Sequence, residues 1–326
     1  MAQKDTNPYP YSDSNKRYMT YDWYLKQRFG GKVAKVPLDI GCTCPNLDGT
    51  RGHGGCIYCL NGSSGVVDSA RHAPIAEQYS AGIAVAEGKW KPVGYIPYLQ
   101  SNSNTYGNAG RLLEIYEECV DLPHALMLNI ATRADCLTDE ILSGIGELGK
   151  KIPVMVELGL QTSDDATAER INRCHTFREF TEGYGRLRET GVMIGVHIIN
   201  GLPGEDRETM LRTAEDVASL RPDMVKIHLL HVLKGTVLCR MYERGEYTPF
   251  ERDEYVSIVC DQLEILPPEV IIGRVTGDGL SDELVCPIWS RRKTEVANEI
   301  DKELYRRGSF QGMRYSGKTK GEGDIA

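Results

Sequence analysis

Residues 153–160 read Pro-Val-Met-Val-Glu-Leu-Gly-Leu, and residues 192–199 read Val-Met-Ile-Gly-Val-His-Ile-Ile. Both are nearly continuous apolar runs rich in Val, Ile and Leu, the composition of strands in a parallel sheet covered on both faces. Between them lie two stretches of helical periodicity, Asp164–Asn172 and Phe177–Thr190. The same rhythm continues outward. Strands are predicted at Val36–Ile40, Val93–Leu99, Ala125–Ile130 and Met224–Leu230, and helices at Pro74–Glu87, Gly110–Val120, Thr138–Leu148 and Glu205–Ser219. Thr138 stands before Asp139 and Glu140, and Leu202-Pro203-Gly204 breaks the chain before Glu205; both are helix-start signals. Six strand–helix alternations predict an α/β fold, a partial (β/α)6 TIM-like barrel with N-terminal and C-terminal extensions. Its site is expected at the C-terminal ends of the strands. The expected division is an N-terminal extension over 1–35, the barrel over 36–235 and a C-terminal α/β extension with a basic tail over 236–326. In that last part helices are predicted at Val237–Arg244, Arg252–Leu266 and Arg291–Arg307, with a strand at Val270–Thr276.

The chain has 326 residues, of which 41% are hydrophobic, enough for a sizeable core; disordered and fibrous classes are excluded. No stretch approaches the roughly 20 apolar residues of a membrane span. The polar N-terminus, Met1 to Tyr24, lacks the apolar segment of a secretion signal, so a cytoplasmic location and reduced thiols are expected. With 38 Lys and Arg against 46 Asp and Glu, the net charge of −8 argues against a general nucleic-acid coat. Four of the ten cysteines (42, 44, 56 and 59) fall in one Gly-rich stretch just after the first predicted strand. Thiolates clustered in a reducing setting indicate a metal site. Spacing alone leaves two readings open. One is a structural zinc held by all four thiols. The other is a [4Fe–4S] cluster on Cys44, Cys56 and Cys59 with one iron lacking a protein ligand. The position at the top of a barrel strand favours the second.

Ordered motifs run along the chain: Cys-Pro-Asn-Leu-Asp-Gly-Thr through Gly-Gly-Cys-Ile-Tyr-Cys (44–59), Tyr98-Leu99-Gln100 through Asn104-Thr105-Tyr106, and Thr132-Arg133-Ala134-Asp135-Cys136. Further on come Glu157-Leu158-Gly159-Leu160-Gln161-Thr162, Asn172-Arg173-Cys174-His175, Gly201-Leu202-Pro203-Gly204-Glu205, His228 to Thr236, Pro267-Pro268-Glu269-Val270 and Pro287-Ile288-Trp289. On these motifs the chain resembles, from Thr20 to Trp289, the radical S-adenosylmethionine (SAM) superfamily. Within it, the resemblance is to the YhcC/YtqA-type branch related to the radical domain of the Elongator catalytic subunit. Eleven residues separate Cys44 from Cys56, where the commonest superfamily pattern has three; the longer gap is that of the resembled branch. Cys42 departs from the branch and reads as a bystander at the end of the first strand.

The resemblance implies that Cys44, Cys56 and Cys59 hold a [4Fe–4S] cluster, that SAM is cleaved reductively, and that hydrogen is then abstracted from substrate. It implies SAM contacts for Tyr58, Gln100, Ser101, Glu157, Gln161, Arg173, His197, Gly201 and Leu202, with Arg173 as the bidentate partner of the carboxylate. Glu157 at a strand end and His197 on an apolar strand are equally what a structural ion pair and a satisfied core histidine look like. Arg133, Asp135, His228, His231 and Lys234, together with Asn102, Asn104 and Tyr106, crown the strands and either bind substrate or brace loops. Neither a GxxxxGK[ST] phosphate loop nor a Rossmann fingerprint occurs. The implied partners are SAM, a one-electron reductant such as flavodoxin or ferredoxin, and tRNA, with wobble-uridine modification as the specific expectation. The alternatives are radical chemistry on a small metabolite or protein, and a non-catalytic zinc or cofactor scaffold. The basic residues Arg291, Arg292, Lys293, Arg306, Arg307, Lys318 and Lys320 are candidates for phosphate contact.

Overall fold

A computed structural model describes residue 12 and residues 15–60, 73–277 and 282–317. Lys318 and Lys320 of the expected basic tail lie outside the described residues. The strands are β1 (Val33–Leu38), β2 (Gly94–Leu99), β3 (Leu128–Thr132), β4 (Val154–Gln161), β5 (Met193–Asn200), β6 (Met224–Leu229), β7 (Val232–Leu233), β8 (Ile271–Arg274) and β9 (Leu284–Cys286). The helices are α1 (Tyr21–Phe29), α2 (Ile75–Glu87), α3 (Ala109–Val120), α4 (Asp139–Leu148), α5 (Asp165–Arg170), α6 (Phe177–Arg188), α7 (Arg207–Leu220), α8 (Val237–Glu243), α9 (Arg252–Ile265) and α10 (Lys293–Arg306). A seven-stranded sheet runs β1-β2-β3-β4-β5-β6-β8, the sequential order of the expected partial barrel with one strand added. The addition is β8, predicted as a strand but as part of the extension.

The chain forms two compact units, 25–161 with 168–197, and 1–24 with 162–167 and 198–326. In the first, β1 and β2 pair in parallel from Val33↔Gly94 to Leu38↔Leu99, and β3 and β4 from Leu128↔Val154 to Thr132↔Leu158. Its core holds Val36, Leu38, Ile96, Leu99, Ile130, Val156 and Leu158 from the strands, with Ile141, Ile145, Phe180 and Leu187 from α4 and α6. Side-chain caps start both helices, at Thr138 as the sequence signals and at Thr176 without such a signal. Thr138 accepts from the amide of Ile141, and Thr176 forms a capping box with Glu179. In the second unit β6 and β8 pair in parallel, Met224↔Ile271, with an irregularity at Val225/Lys226. The amide of Ile272 also donates to Met19 O, so the N-terminal segment lies along β8. Arg307 ties α10 to α9 through Asp261 and Glu264. No helix among the described residues is long and apolar enough to cross a membrane.

Candidate functional site

The cysteine loop follows β1. Cys44 is half-buried, Cys56 buried and Cys59 exposed at its edge, and all three are free thiols. The amides of Leu47 and Asp48 turn back onto Cys44 O, and the amide of Cys59 onto Cys56 O. Gly54 and Gly55, at φ +78 and +77, make the turn into Cys56 that a side chain would resist. The eleven-residue span is fastened from outside. Asn172 Nδ2 donates to His53 O (3.1 Å) and Gly55 O (2.8 Å), and the amide of Ile57 to Ile171 O (3.1 Å). Arg51 pairs with Asp135 (3.2 Å) and with Glu179 on α6 (2.6 Å). The protein mass around Cys59, then the neighbouring Cys56 and Cys44, push its thiol up to about 11, so the three sulfurs share one locality. Burial, then Asp39, pushes Cys42 up to about 11 as well. No three His, Cys, Asp or Glu side chains among the described residues converge on a single metal ion. Burial, then Cys56, holds the Tyr58 phenol above its ordinary range.

Around this loop the backbone takes up conformations that side chains resist. Ser101 and Asn102 just after β2, Gln161 at the end of β4, and Asn172 and Cys174 before α6 all have positive φ, between +55 and +82. The amide of Gln100 donates to Leu38 O (3.3 Å), and Asn102 Nδ2 donates to Cys42 O (2.8 Å). Asn104 spans Ser101 O and Ala131 O, and Tyr106 OH meets Thr50 Oγ1 at 2.7 Å. Arg173 is buried and donates from Nη2 to Gly159 O; among the described residues it makes no ion pair and its Nε has no partner. A Cβ on Gly159 would come within 2.8 Å of Gln161 Nε2 and 3.1 Å of Arg173 Nη2; glycine there lets both polar side chains approach β4.

Glu157, in the middle of β4, has a side chain with no exposed surface. Its Oε1 accepts from Lys35 Nζ on β1 (3.0 Å) and Asn129 Nδ2 on β3 (2.7 Å). Its Oε2 accepts from Tyr98 OH on β2 (2.8 Å) and meets His197 Nε2 on β5 at 2.8 Å. Four partners use all the lone-pair directions of a carboxylate. The Lys35 ammonium also lies over the Tyr98 ring, 4.6 Å from its centroid. The two residues singled out on β4 and β5 therefore meet each other. Lys35 and Asn129, which complete the layer, carry no local signal in the sequence.

Arg133 and Asp135 form a bidentate pair (2.8 Å and 2.8 Å), and Arg133 Nη1 donates to Arg173 O (3.0 Å). These two brace the cysteine loop through Arg51. His175, in a motif of the resemblance but without an assigned role, is buried. Burial, then the cations Arg173 and Arg133, push it down to about 3, so it is neutral. The remaining predicted residues belong to the second unit. Gly201, at φ +89, accepts from Tyr247 OH at its carbonyl (2.9 Å), and Leu202 is buried. His228 lies on β6. His231 lies just beyond that strand, where burial, then Lys293 and Arg274, push it down to about 4. Lys234 donates to Asp282 O (3.0 Å).

The profile of the Radical SAM superfamily matches residues 49–217, more than half the chain, and that of the Radical_SAM C-terminal domain matches 222–306. The uncharacterized protein YtqA of Bacillus subtilis is 45% identical over 306 residues, covering 94% of this chain and 95% of that protein. A tRNA uridine(34) acetyltransferase of Methanocaldococcus jannaschii is 32% identical over 154 residues, 46% of this chain and 28% of its own. Among solved structures, archaeal Elp3 of Methanocaldococcus infernus superposes with a TM-score of 0.64 at 21% identity, over 86% of this chain and 64% of that one, a likeness of fold. A superfamily profile over most of the barrel, together with a relative alike from end to end, makes this chain a member of the radical SAM superfamily of enzymes, in the branch of YtqA.

Proposed function

We propose that Cys44, Cys56 and Cys59 hold a [4Fe–4S] cluster whose fourth iron binds SAM, and that the substrate is the wobble uridine of tRNA. When bound, cluster and SAM together supply one-electron cleavage chemistry that lets a hydrogen atom be taken from substrate. The donor set fits: three free thiols in one locality, with no three side chains among the described residues gathered tightly enough for a single ion. The observation that carries the reading is Arg173, a buried guanidinium without an ion pair among the described residues, whose charge reaches Cys59 and Tyr58. A cation so placed is matched to a carboxylate, and the methionyl group offers one. Gln161, Gln100 and Ser101 supply polar groups at the neighbouring strand ends, and Tyr58 would contact the adenine. Glu157, with its lone pairs occupied, holds Lys35 and His197 in position instead of touching SAM. The wobble-uridine assignment draws support from the tRNA uridine(34) acetyltransferase, which this chain matches over less than a third of that enzyme's length. A flavodoxin or ferredoxin is the proposed electron donor.

Anaerobic protein should carry about four irons and four sulfides per chain. With SAM and a reductant it should release 5′-deoxyadenosine. Cys59→Ala should abolish that release; a single zinc per chain, or undiminished release from the variant, defeats the assignment. Arg173→Met should weaken SAM binding by roughly 10–100-fold at unchanged iron content, the range of a lost charged hydrogen bond. Modification profiling of tRNA from a deletion strain tests the substrate. An unaltered wobble position moves the reading to a small metabolite or a protein.

A further inference from the structure

Asn46 lies two residues after Cys44 and is completely buried. Its Nδ2 donates to Asn172 O (2.7 Å) and Arg173 O (3.0 Å), and it lies 3.7 Å from Cys56 Sγ, within range for an amide donor to sulfur. Two amide hydrogens thus serve three acceptors, so one hydrogen is shared in a three-centre bond. The two carbonyls also fix which end of the amide is nitrogen, because an oxygen there would face two other oxygens. The other end, Oδ1, is buried without a partner among the described residues. An orphaned acceptor is costly, and tolerating it means that the amide is placed for its nitrogen. That nitrogen faces the sulfur of a cysteine proposed above to carry an iron.

We infer that Asn46 is a positioning residue that donates from its amide to Cys56 Sγ and thereby sets the reduction potential of the cluster. This rests on the cluster assignment of the preceding subsection. A donor to a thiolate draws off charge and favours the reduced, more negative cluster, so the potential rises; hydrogen bonds to sulfur are among the recognised controls on that potential. The amide also pins the start of the cysteine loop to the 172–173 segment, while Asn172 pins its far side through His53 O and Gly55 O. The two asparagines share the fastening of the loop, but only Asn46 reaches a sulfur of the proposed ligand set.

That difference supplies the test. Asn46→Leu and Asn172→Gly both loosen the loop, and glycine suits the φ of +55 at position 172. Potentials are read by electron paramagnetic resonance during redox titration of the reconstituted full-length protein. Asn46→Leu should lower the ratio of reduced to oxidised cluster at a fixed potential about tenfold, about 59 mV for a one-electron couple. Asn172→Gly should lose iron yet leave the potential of its loaded fraction where the wild type has it. Equal potentials in wild type and Asn46→Leu, or an equal shift in both variants, overturn the inference and leave the cluster assignment standing. A wild type that assembles no four-iron cluster removes both. If Asn46→Leu fails to fold or load, pulsed resonance decides on wild-type and Asn172→Gly proteins labelled with 15N only in the asparagine side chains. A 15N coupling to the reduced cluster that persists in Asn172→Gly supports the inference; absence of coupling in the wild type overturns it.

Discussion

Glu157 meets four polar side chains from four strands, and its removal should be costly. Glu157→Ala strands Lys35, Asn129, Tyr98 and His197 without their shared acceptor. Breaking a buried ion pair from one side costs about 3–5 kcal/mol, so urea unfolding should show a loss of that order. Glu205 behaves differently. Burial, opposed by the Thr162 hydroxyl that donates to it at 2.5 Å, and then the nearby Asp164, raise its carboxyl to about 7 from 4.5. The folded protein therefore holds that proton more tightly than the unfolded chain does. The contribution is fully present below about pH 4.5 and is lost as pH climbs through about 7. Glu205→Gln should flatten this fall and leave the variant more stable than wild type at pH 8 by about 1–3 kcal/mol, seen by comparing urea midpoints at pH 5 and pH 8. At this scale the cysteines stood out as candidate ligands because their chemistry is local and their spacing short. The partnership of Lys35 with Glu157 was not, since 122 residues separate them and nothing near Lys35 announces its partner.

Helix α6 sets two glycines against each other. A Cβ on Gly183 would press into the backbone carbonyl of Ala134, which cannot yield, whereas a Cβ on Gly185 meets nothing within 4 Å. Alanine gains about 1 kcal/mol in a helix interior, and overpacking costs about 1–3 kcal/mol. Gly185→Ala should therefore stabilise and Gly183→Ala destabilise, a difference in sign readable from two denaturation curves. Most strands and helices were visible as elements, because their buried faces are apolar at the expected period. Two strands were displaced. β1 was expected at Val36–Ile40 and lies at Val33–Leu38; β3 was expected at Ala125–Ile130 and lies at Leu128–Thr132. In β1 the missed part ends on Lys35, an inward polar residue that hydropathy assigns to a surface; in β3 the apolar run Ala125–Met127 ahead of the strand drew the expected start too early. α1 escaped notice because Tyr21–Phe29 mixes aromatic and charged residues without a clear apolar stripe. The short β7–β9 pair joins residues too far apart in the chain for local pattern to reveal.

For the molecule as a whole, the C-terminal portion is structural as much as it is an extension. β8 supplies the strand beside β6, so cutting the chain after Gly235 would strip that neighbour away together with α9 and α10. An uncovered parallel edge invites association, and light scattering on the truncated protein should find aggregates where the full chain stays dispersed. The rhythm of β and α segments revealed the partial barrel; membership of β8 in the same sheet depends on a return after some forty residues and left no mark on that rhythm. The five polar residues on five successive strands, Lys35, Tyr98, Asn129, Glu157 and His197, have a consequence for how the chain finds its native arrangement. Side chains alternate between the faces of a strand, so sliding any one of them by a single residue would send its member of the set toward the helices. Misaligned sheets would then entomb a lone anion or strand its donors, and the chain would reject them while folding. The layer serves as a proofreading key for strand alignment, and that service would persist even in a variant with no enzymatic turnover.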